Sequence, residues 1–411
     1  MPDIHKIPRG KKMKNILLSS AAIALLAGAA SAEVTWSGDA EIGYNDDYED
    51  GFYWDAGLYV NLSQELNNGW TASASLDIDL EEDAQGSTYS LGTVDSSDWV
   101  LSLSNDMFGL SFGDVDTALA SFDYVTGLFD VVDAIDDFQG IDTLSDDSSD
   151  YMSWDDYYAV VDAESANAGL LVTASYNQFS AAYSSVTVGG DLGAQQLYLG
   201  ADFDMVEVGF FYQEEDFDDV MATETYALTV AGTFAGVEVM GSYGTTDYFG
   251  LGDIDAYGIE VAYPVGPVTL GAYYTAYDIS GGGSIDPSYG ISVDYADGPL
   301  TIAAYYEVGV IFDGLDVIDG ADEYAVEGQY DFGNGLVVTA GYIDGDDYND
   351  NDYAAYVVAE YDLGGGATFL ASYADHTNYE DGFFGATDDI DTGLGGYELY
   401  SGATVSLSFE F

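Results

Sequence analysis

The side chains with chemical capacity in this sequence are nearly all carboxylates: 75 Asp and Glu stand against five Lys and Arg, two His and no Cys. Oxygen ligands without imidazole or thiolate suit hard cations, Ca²⁺ or Mg²⁺. Clusters that would offer them are Asp136/Asp137, Asp146/Asp147, Asp155/Asp156 and Asp344/Asp346/Asp347. Asp136, Asp137, Asp146 and Asp147 are the candidate ligands; each cluster also reads as a solvated acidic loop, and no cofactor is required. Residues 344–352 have the acidic density of a helix–loop–helix calcium loop. They lack its Gly at the sixth position and its Glu at the twelfth, which excludes that reading. Paired carboxylates serve glycoside hydrolysis, but where acids are this abundant a pair carries no information. His376 is the single His past residue 5 and supports no Ser/His/Asp arrangement. The expectation is a protein that is not an enzyme.

The charge distribution excludes more. Lys6, Arg9, Lys11, Lys12 and Lys14 are the only basic residues, so everything from residue 15 onward carries acids alone. Nothing can neutralise phosphates, so nucleic acid is not a partner. A phosphate-binding P-loop lacks its Lys. The absence of Cys removes disulfides, thiol catalysis and Cys-based metal sites. Disordered acidic chains are poor in aromatics; here aromatics are 15% and hydrophobics 48%, enough apolar surface to fold.

The N-terminus has the form of an export signal. Lys11, Lys12 and Lys14 form a basic region, Ile16 to Leu26 an apolar run of 11 residues, and Ala30-Ser31-Ala32 a small-residue cleavage site. Residues 1–32 are therefore expected to be a signal peptide with a short N-terminal extension, leaving a mature chain from Glu33. The apolar run is shorter than the roughly 18 residues a spanning helix needs.

Period-two alternation dominates the rest, 33–411. Val34, Trp36, Ala40, Ile42 and Tyr44 share one face of a segment whose other face is Glu33, Thr35, Ser37, Asp39 and Glu41. Tyr226, Leu228, Val230 and Phe234 repeat the pattern, as do Tyr257, Ile259, Val261 and Tyr263 around Glu260. Val405, Leu407, Phe409 and Phe411 do so at the C-terminus. Alternation over about ten residues is the length a tilted strand needs to cross a bilayer. A soluble sandwich alternates too; turn spacing decides between them. Short turns fall at residues 67–69, 105–107, 177–178, 203–204, 235–236, 265–266, 297–299, 333–335 and 364–366, with longer polar connections between them such as 281–287, 344–352 and 375–393. That asymmetry is the signature of an outer-membrane barrel. Nine turns predict nine hairpins, and the first and last strands bring the count to twenty. The fold class is all-β, an antiparallel transmembrane β-barrel of one domain. Tyr263, Tyr330 and Tyr361, just before turns, fit an interfacial girdle.

Residues 117–168 are too long for a plain connection and too apolar for a solvated one. They are expected to fold into the lumen as a constriction loop. Its acids Asp123, Asp130, Asp133, Asp136, Asp137 and Asp142 would line the pore. On the strands, alternation assigns Glu41, Asp77, Asp79, Glu207, Glu260, Asp294, Glu327 and Glu398 to the lumen wall.

The Ala30-Ser31-Ala32/Glu33-Val34 junction, Ser37-Gly38-Asp39-Ala40, Gly113-Asp114 before the long loop, Tyr361 to Ala367 at the last turn and the terminal Phe411 occur in this order. In this the chain resembles the general diffusion porins of Gram-negative outer membranes, nearest the alpha-proteobacterial branch. The resemblance implies a homotrimer of barrels with roughly sixteen strands, passive diffusion of small hydrophilic solutes, and a third loop forming the eyelet. It also implies that Phe411 is part of an assembly signal read by the barrel-assembly machinery. The family's eyelet sets Arg or Lys across from carboxylates, and no such pairing is possible here. The expectation is therefore a strongly cation-selective channel, exported to the cell outer membrane. Ca²⁺ or Mg²⁺ would bridge its acids to lipid and lipopolysaccharide, where relatives would use Lys and Arg. The alternative is a secreted acidic cation-binding surface protein or adhesin with a soluble β-sandwich.

Overall fold

The computed structural model describes residues 33–46, 51–66, 69–81, 99–125, 128, 166–188, 191–215, 223–248, 252–280, 286–313, 316–345, 352–376, 390–399 and 401–411. The strands in chain order are β1 (Glu33–Asn45), β2 (Phe52–Glu65), β3 (Thr71–Glu81), β4 (Trp99–Ser104), β5 (Phe108–Gly113), β6 (Ala166–Tyr176), β7 (Phe179–Val188) and β8 (Asp191–Asp202). There follow β9 (Val206–Glu215), β10 (Thr223–Phe234), β11 (Val237–Tyr248), β12 (Gly252–Val265), β13 (Val268–Ile279), β14 (Ser288–Asp297) and β15 (Leu300–Asp313). The remainder are β16 (Asp316–Asp331), β17 (Leu336–Gly345), β18 (Asp352–Gly364), β19 (Ala367–His376), β20 (Ile390–Asp391), β21 (Glu398–Leu399) and β22 (Gly402–Glu410). Among the described residues the one helical element is a single 3-10 turn, Ala118–Ser121.

Twenty strands belong to one sheet, and β20 and β21 form a separate pair. The count equals the one expected from turn spacing and exceeds the sixteen that the resemblance implied. Every expected short turn joins two strands of this sheet. Asx side chains build several of them by accepting the backbone N–H two residues on. Asn105 does so for Met107 at 2.8 Å, Asp202 for Asp204 at 2.9 Å, Asp331 for Gly333 at 2.7 Å and Asp362 for Gly364 at 2.7 Å. The connections at the other strand ends are not uniformly long. β7 to β8, β11 to β12 and β15 to β16 are joined by two or three residues, because the strands themselves continue.

Two compact units divide the chain. In the first, β5 to β13 form a meander in which each strand pairs antiparallel with the next. In the second, the order is β17, β18, β19, β22, β1, β2, β3, again antiparallel. The first and last strands of the sheet are thus neighbours, from Asp39↔Glu410 to Asn45↔Thr404. Phe411 extends the ladder: Gly38 N–H donates to its carbonyl at 2.8 Å, and its own N–H donates to the Gly38 carbonyl at 2.9 Å. A sheet that hydrogen-bonds its own ends has the topology of a β-barrel, which leaves no edge to pair with other chains. One expectation needs correction. Glu398, expected on the lumen wall, belongs to the small β20–β21 pair and not to the main sheet, whose closing strand begins at Gly402.

Burial runs opposite to that of a water-soluble protein. Many large apolar side chains of the strands are exposed: Trp36 is 54% exposed, Ile42 56% and Phe52 68%. On β10, Tyr226, Leu228 and Val230 face outward while Thr225, Ala227, Thr229 and Ala231 are buried. So many large hydrophobics exposed on strand after strand exceed what a soluble monomer tolerates, and a lipid-facing band accounts for them. Backbone groups inside such a band must pair within the protein, which a closed sheet achieves. Tyr263, Tyr330 and Tyr361 lie exposed on this apolar side next to their turns.

Candidate functional site

The face opposite the exposed hydrophobics is where function must reside. In the first unit it is built of small and polar residues, and a chain segment lies on it. Thr117 to Val125 and Leu128 follow β5 and pack across β7 to β13. Leu119, Phe122 and Leu128 are buried with Phe211, Ala227, Ile254, Ala256 and Tyr277. Val125 is buried with Ala231, Met240 and Tyr273. The Phe122 ring stacks on Phe211 with centroids 5.6 Å apart and meets Tyr198 edge-on at 6.2 Å.

Backbone polarity is satisfied by the wall. Ala118 N–H donates to Ser184 Oγ at 2.8 Å, Leu119 N–H to Gln196 Oε1 at 3.1 Å and Val125 N–H to Ser242 Oγ at 3.0 Å. Gln196 is itself held by Gln213 at 3.0 Å, and Ser242 by Thr229 at 2.7 Å. A buried segment without such partners would lose about 1–3 kcal/mol per orphaned group. Two glycines make the apolar contacts possible. A Cβ on Gly209 would stand 3.1 Å from the Phe122 ring, and one on Gly258 would stand 2.8 Å from Val125 Cγ1. Phe122→Ala removes the largest anchor, at a cost of about 3 kcal/mol, roughly a hundredfold in the local opening equilibrium. Limited proteolysis is expected to cut residues 117–128 of the variant far faster while the sheet stays intact. Unchanged cleavage would show that the ring anchors nothing.

Asp123 sits between these anchors and is exposed. It borders a cavity of about 270 Å³ with Tyr198, Asp202, Glu207 and Asn177. The structure thus brings together one expected loop acid, Asp123, and one expected wall acid, Glu207. Alternation had not singled out Asp202. The other expected wall acids are spread over the strands. Glu41 accepts the Tyr53 hydroxyl at 2.9 Å. Asp77 and Asp294 are half-buried, whereas Glu260 and Glu327 are buried. Asp79 is on β3, and its side chain lies outside the described residues. Glu307, not anticipated, accepts the Tyr273 hydroxyl at 3.2 Å. Its signal was available, since it alternates with the exposed Tyr306. Asp130, Asp133, Asp136, Asp137, Asp142, Asp146, Asp147, Asp155 and Asp156 lie outside the described residues, as do Asp346, Asp347 and the signal region. Among the described residues no group of three acids is placed to hold a metal ion.

The exposed apolar face carries a second pattern. Tyrosines several residues away from the short turns donate to carboxylates on the same side. Tyr212 donates to Glu214 at 2.9 Å, Tyr243 to Asp255 at 2.7 Å and Tyr353 to Asp375 at 3.0 Å, while Tyr324 and Tyr342 both donate to Asp344. In each unit, tyrosine hydroxyls on the apolar side thus end on acids.

No curated protein matches the chain. Among solved structures, an engineered mutant of the Rhodopseudomonas blastica porin is similar at 17% identity and a TM-score of 0.39, over 93% of this chain and 100% of the other. A triple mutant of the same porin is similar at 16% identity and a TM-score of 0.38, with the same coverage. A porin refined at 1.8 Å is similar at 21% identity and a TM-score of 0.39, over 92% of this chain and 100% of the other. The profile of the Gram-negative porin family matches residues 19–313, most of the chain. A channel protein needs no catalytic group, and a closed sheet with an apolar outer band is not the sandwich of a secreted adhesin. The chain belongs to the Gram-negative porin family and is an outer-membrane channel protein.

Proposed function

We propose that this porin is a passive, strongly cation-selective diffusion channel for small hydrophilic solutes and ions. The observation that carries the reading is that no Lys or Arg occurs after Lys14, so every charged side chain facing the pore is acidic. Residues 1–32 direct export and are removed before Glu33. Residues 117–168 form the constriction; the packing of Thr117 to Val125 on the wall supports this. The chain works as a homotrimer, assembled by the barrel-assembly machinery with Phe411 in the recognised terminus. In a planar bilayer with a KCl gradient, the reversal potential is expected to approach the potassium potential. A reversal potential of the opposite sign overturns the selectivity.

Ca²⁺ or Mg²⁺ bridges the outer carboxylates to anionic lipid and lipopolysaccharide headgroups. Glu214 and Asp255 in one unit and Asp344 and Asp375 in the other, each accepting a tyrosine hydroxyl on the apolar side, support this, because no Lys or Arg after Lys14 is present to hold phosphate. Chelator is expected to lower the melting temperature of the trimer in native lipid, and added Mg²⁺ to restore it. A melting temperature indifferent to both excludes the bridge.

A further inference from the structure

The last long connection does more than join β19 to β22. Its described part, residues 390–399, folds back as the β20–β21 pair, with Ile390 opposite Leu399. Thr392 N–H donates to the Tyr397 carbonyl at 3.0 Å, and Tyr397 N–H donates to Thr392 Oγ1 at 2.9 Å. The turn buries its apolar side chains instead of presenting them to solvent. Ile390 and Leu399 are 4% and 3% exposed and pack with Ala354, Tyr356, Val358 and Ala374. Leu394 is 7% exposed. The wall residues belong to β18 and β19 and alternate with the exposed Val357 and Tyr373. The turn therefore rests on the pore side of these strands.

Two wall carboxylates hold it there. Glu327, 4% exposed, accepts the Tyr356 hydroxyl. The backbone amides of Gly393 and Leu394 face the same carboxylate, whose Oε2 is buried with no hydrogen-bond partner among the described residues. Tyr397 donates its hydroxyl to Glu360. Burial, reinforced by the Glu360 charge, pushes the Tyr397 phenol well above its usual value, so it remains a donor through the neutral range. A connection that buries Ile390, Leu394 and Leu399 and sets two backbone amides beside a buried wall carboxylate is a built insertion.

We propose that residues 390–399 are a second pore insertion that sets the size limit for solutes, with Glu327 as its positioning residue. The proposal rests on the channel reading and adds to it. Glu327 then acts by holding the turn, whereas Asp123 and Glu207 present charge to the solute.

The test compares wild type with two variants in planar bilayers and in liposomes challenged with neutral sugars of increasing size. One variant replaces residues 377–400 by a short glycine turn. β19 and β22 pair directly up to Ala374↔Gly402, so the sheet does not need the connection. The other is Ile390→Ser/Leu394→Ser, which removes apolar anchors without changing charge. Folding is verified by the mobility shift on boiling. Because conductance follows pore cross-section, both variants are expected to conduct about twofold more than wild type and to admit larger sugars. Glu327→Leu should do the same, and Glu327→Gln, which keeps an acceptor, should restore the wild-type sugar limit. Folded variants with wild-type conductance and sugar limit overturn the insertion. If the shortened chain does not fold, the double serine variant decides. If neither folds, the segment serves folding rather than pore size, and the proposal fails. A silent wild type overturns the channel reading itself.

Discussion

In a gradient of KCl, this channel is expected to pass K⁺ at least tenfold more readily than Cl⁻ at about 0.1 M salt and to lose most of that preference near 1 M. The reason is the unopposed charge of the pore side. A low-dielectric wall focuses the field of its carboxylates, and potentials of several kT enrich counter-ions by about tenfold or more. Rings of Asp and Glu select cations in this way. Screening acts over about 10 Å at 0.1 M and about 3 Å at 1 M, so the field no longer reaches the pore axis in concentrated salt. Lowering the pH toward the ordinary carboxylate range, about 4, removes the charge and with it the preference. Asp123→Asn/Glu207→Gln neutralises two acids that border one cavity on the pore side. It is expected to lower the K⁺/Cl⁻ ratio several-fold. Glu214→Gln/Asp255→Asn, on the lipid side, should leave the ratio near wild type. Equal effects of the two pairs would show that position does not matter and that net charge alone sets selectivity.

Deleting β22 is expected to abolish assembly, and deleting Phe411 alone to reduce the yield of heat-modifiable barrel several-fold. β22 pairs with β19 on one side and β1 on the other. Its loss exposes two strand edges in the apolar layer. Each unpaired N–H or C=O there costs several kcal/mol. Phe411 contributes two backbone hydrogen bonds to Gly38 and a ring that is 64% exposed on the lipid side. Phe411→Ala keeps the hydrogen bonds and removes the ring. If its yield falls as far as that of the deletion, recognition of the ring during assembly dominates. If it assembles like wild type while the deletion does not, edge pairing dominates. Normal yield from the deletion would exclude both roles.

Much of this architecture was legible in the sequence, because a membrane barrel leaves one-dimensional marks. A strand with lipid on one side and polar surroundings on the other must alternate, so Tyr226, Leu228 and Val230 announce their own face. A two- or three-residue turn needs Asn, Asp or Gly in a narrow set of conformations, so Asn105, Asp202, Asp331 and Asp362 mark hairpins wherever they fall. Counting such turns gave twenty strands, the number in the sheet, where the resemblance implied fewer. The absence of Lys and Arg after Lys14 was legible there too.

Long-range placement was decided only in three dimensions. That Asp123 meets Glu207 and Asp202 across one cavity depends on how residues 117–128 lie over the sheet, and no local pattern encodes that. Glu398 was assigned by alternation to the lumen wall. The fold instead gives residues 398–399 to a pair with 390–391, because the buried Leu399 finds its contacts on β18 and β19. Alternation assigned Glu327 to the lumen wall, and only the fold shows it buried and bonded to the Tyr356 hydroxyl. Alternation tells which side of a strand a residue faces, since that depends only on its neighbours in the chain. It says nothing about what covers that side, since the covering segment comes from far along the chain and is chosen by packing.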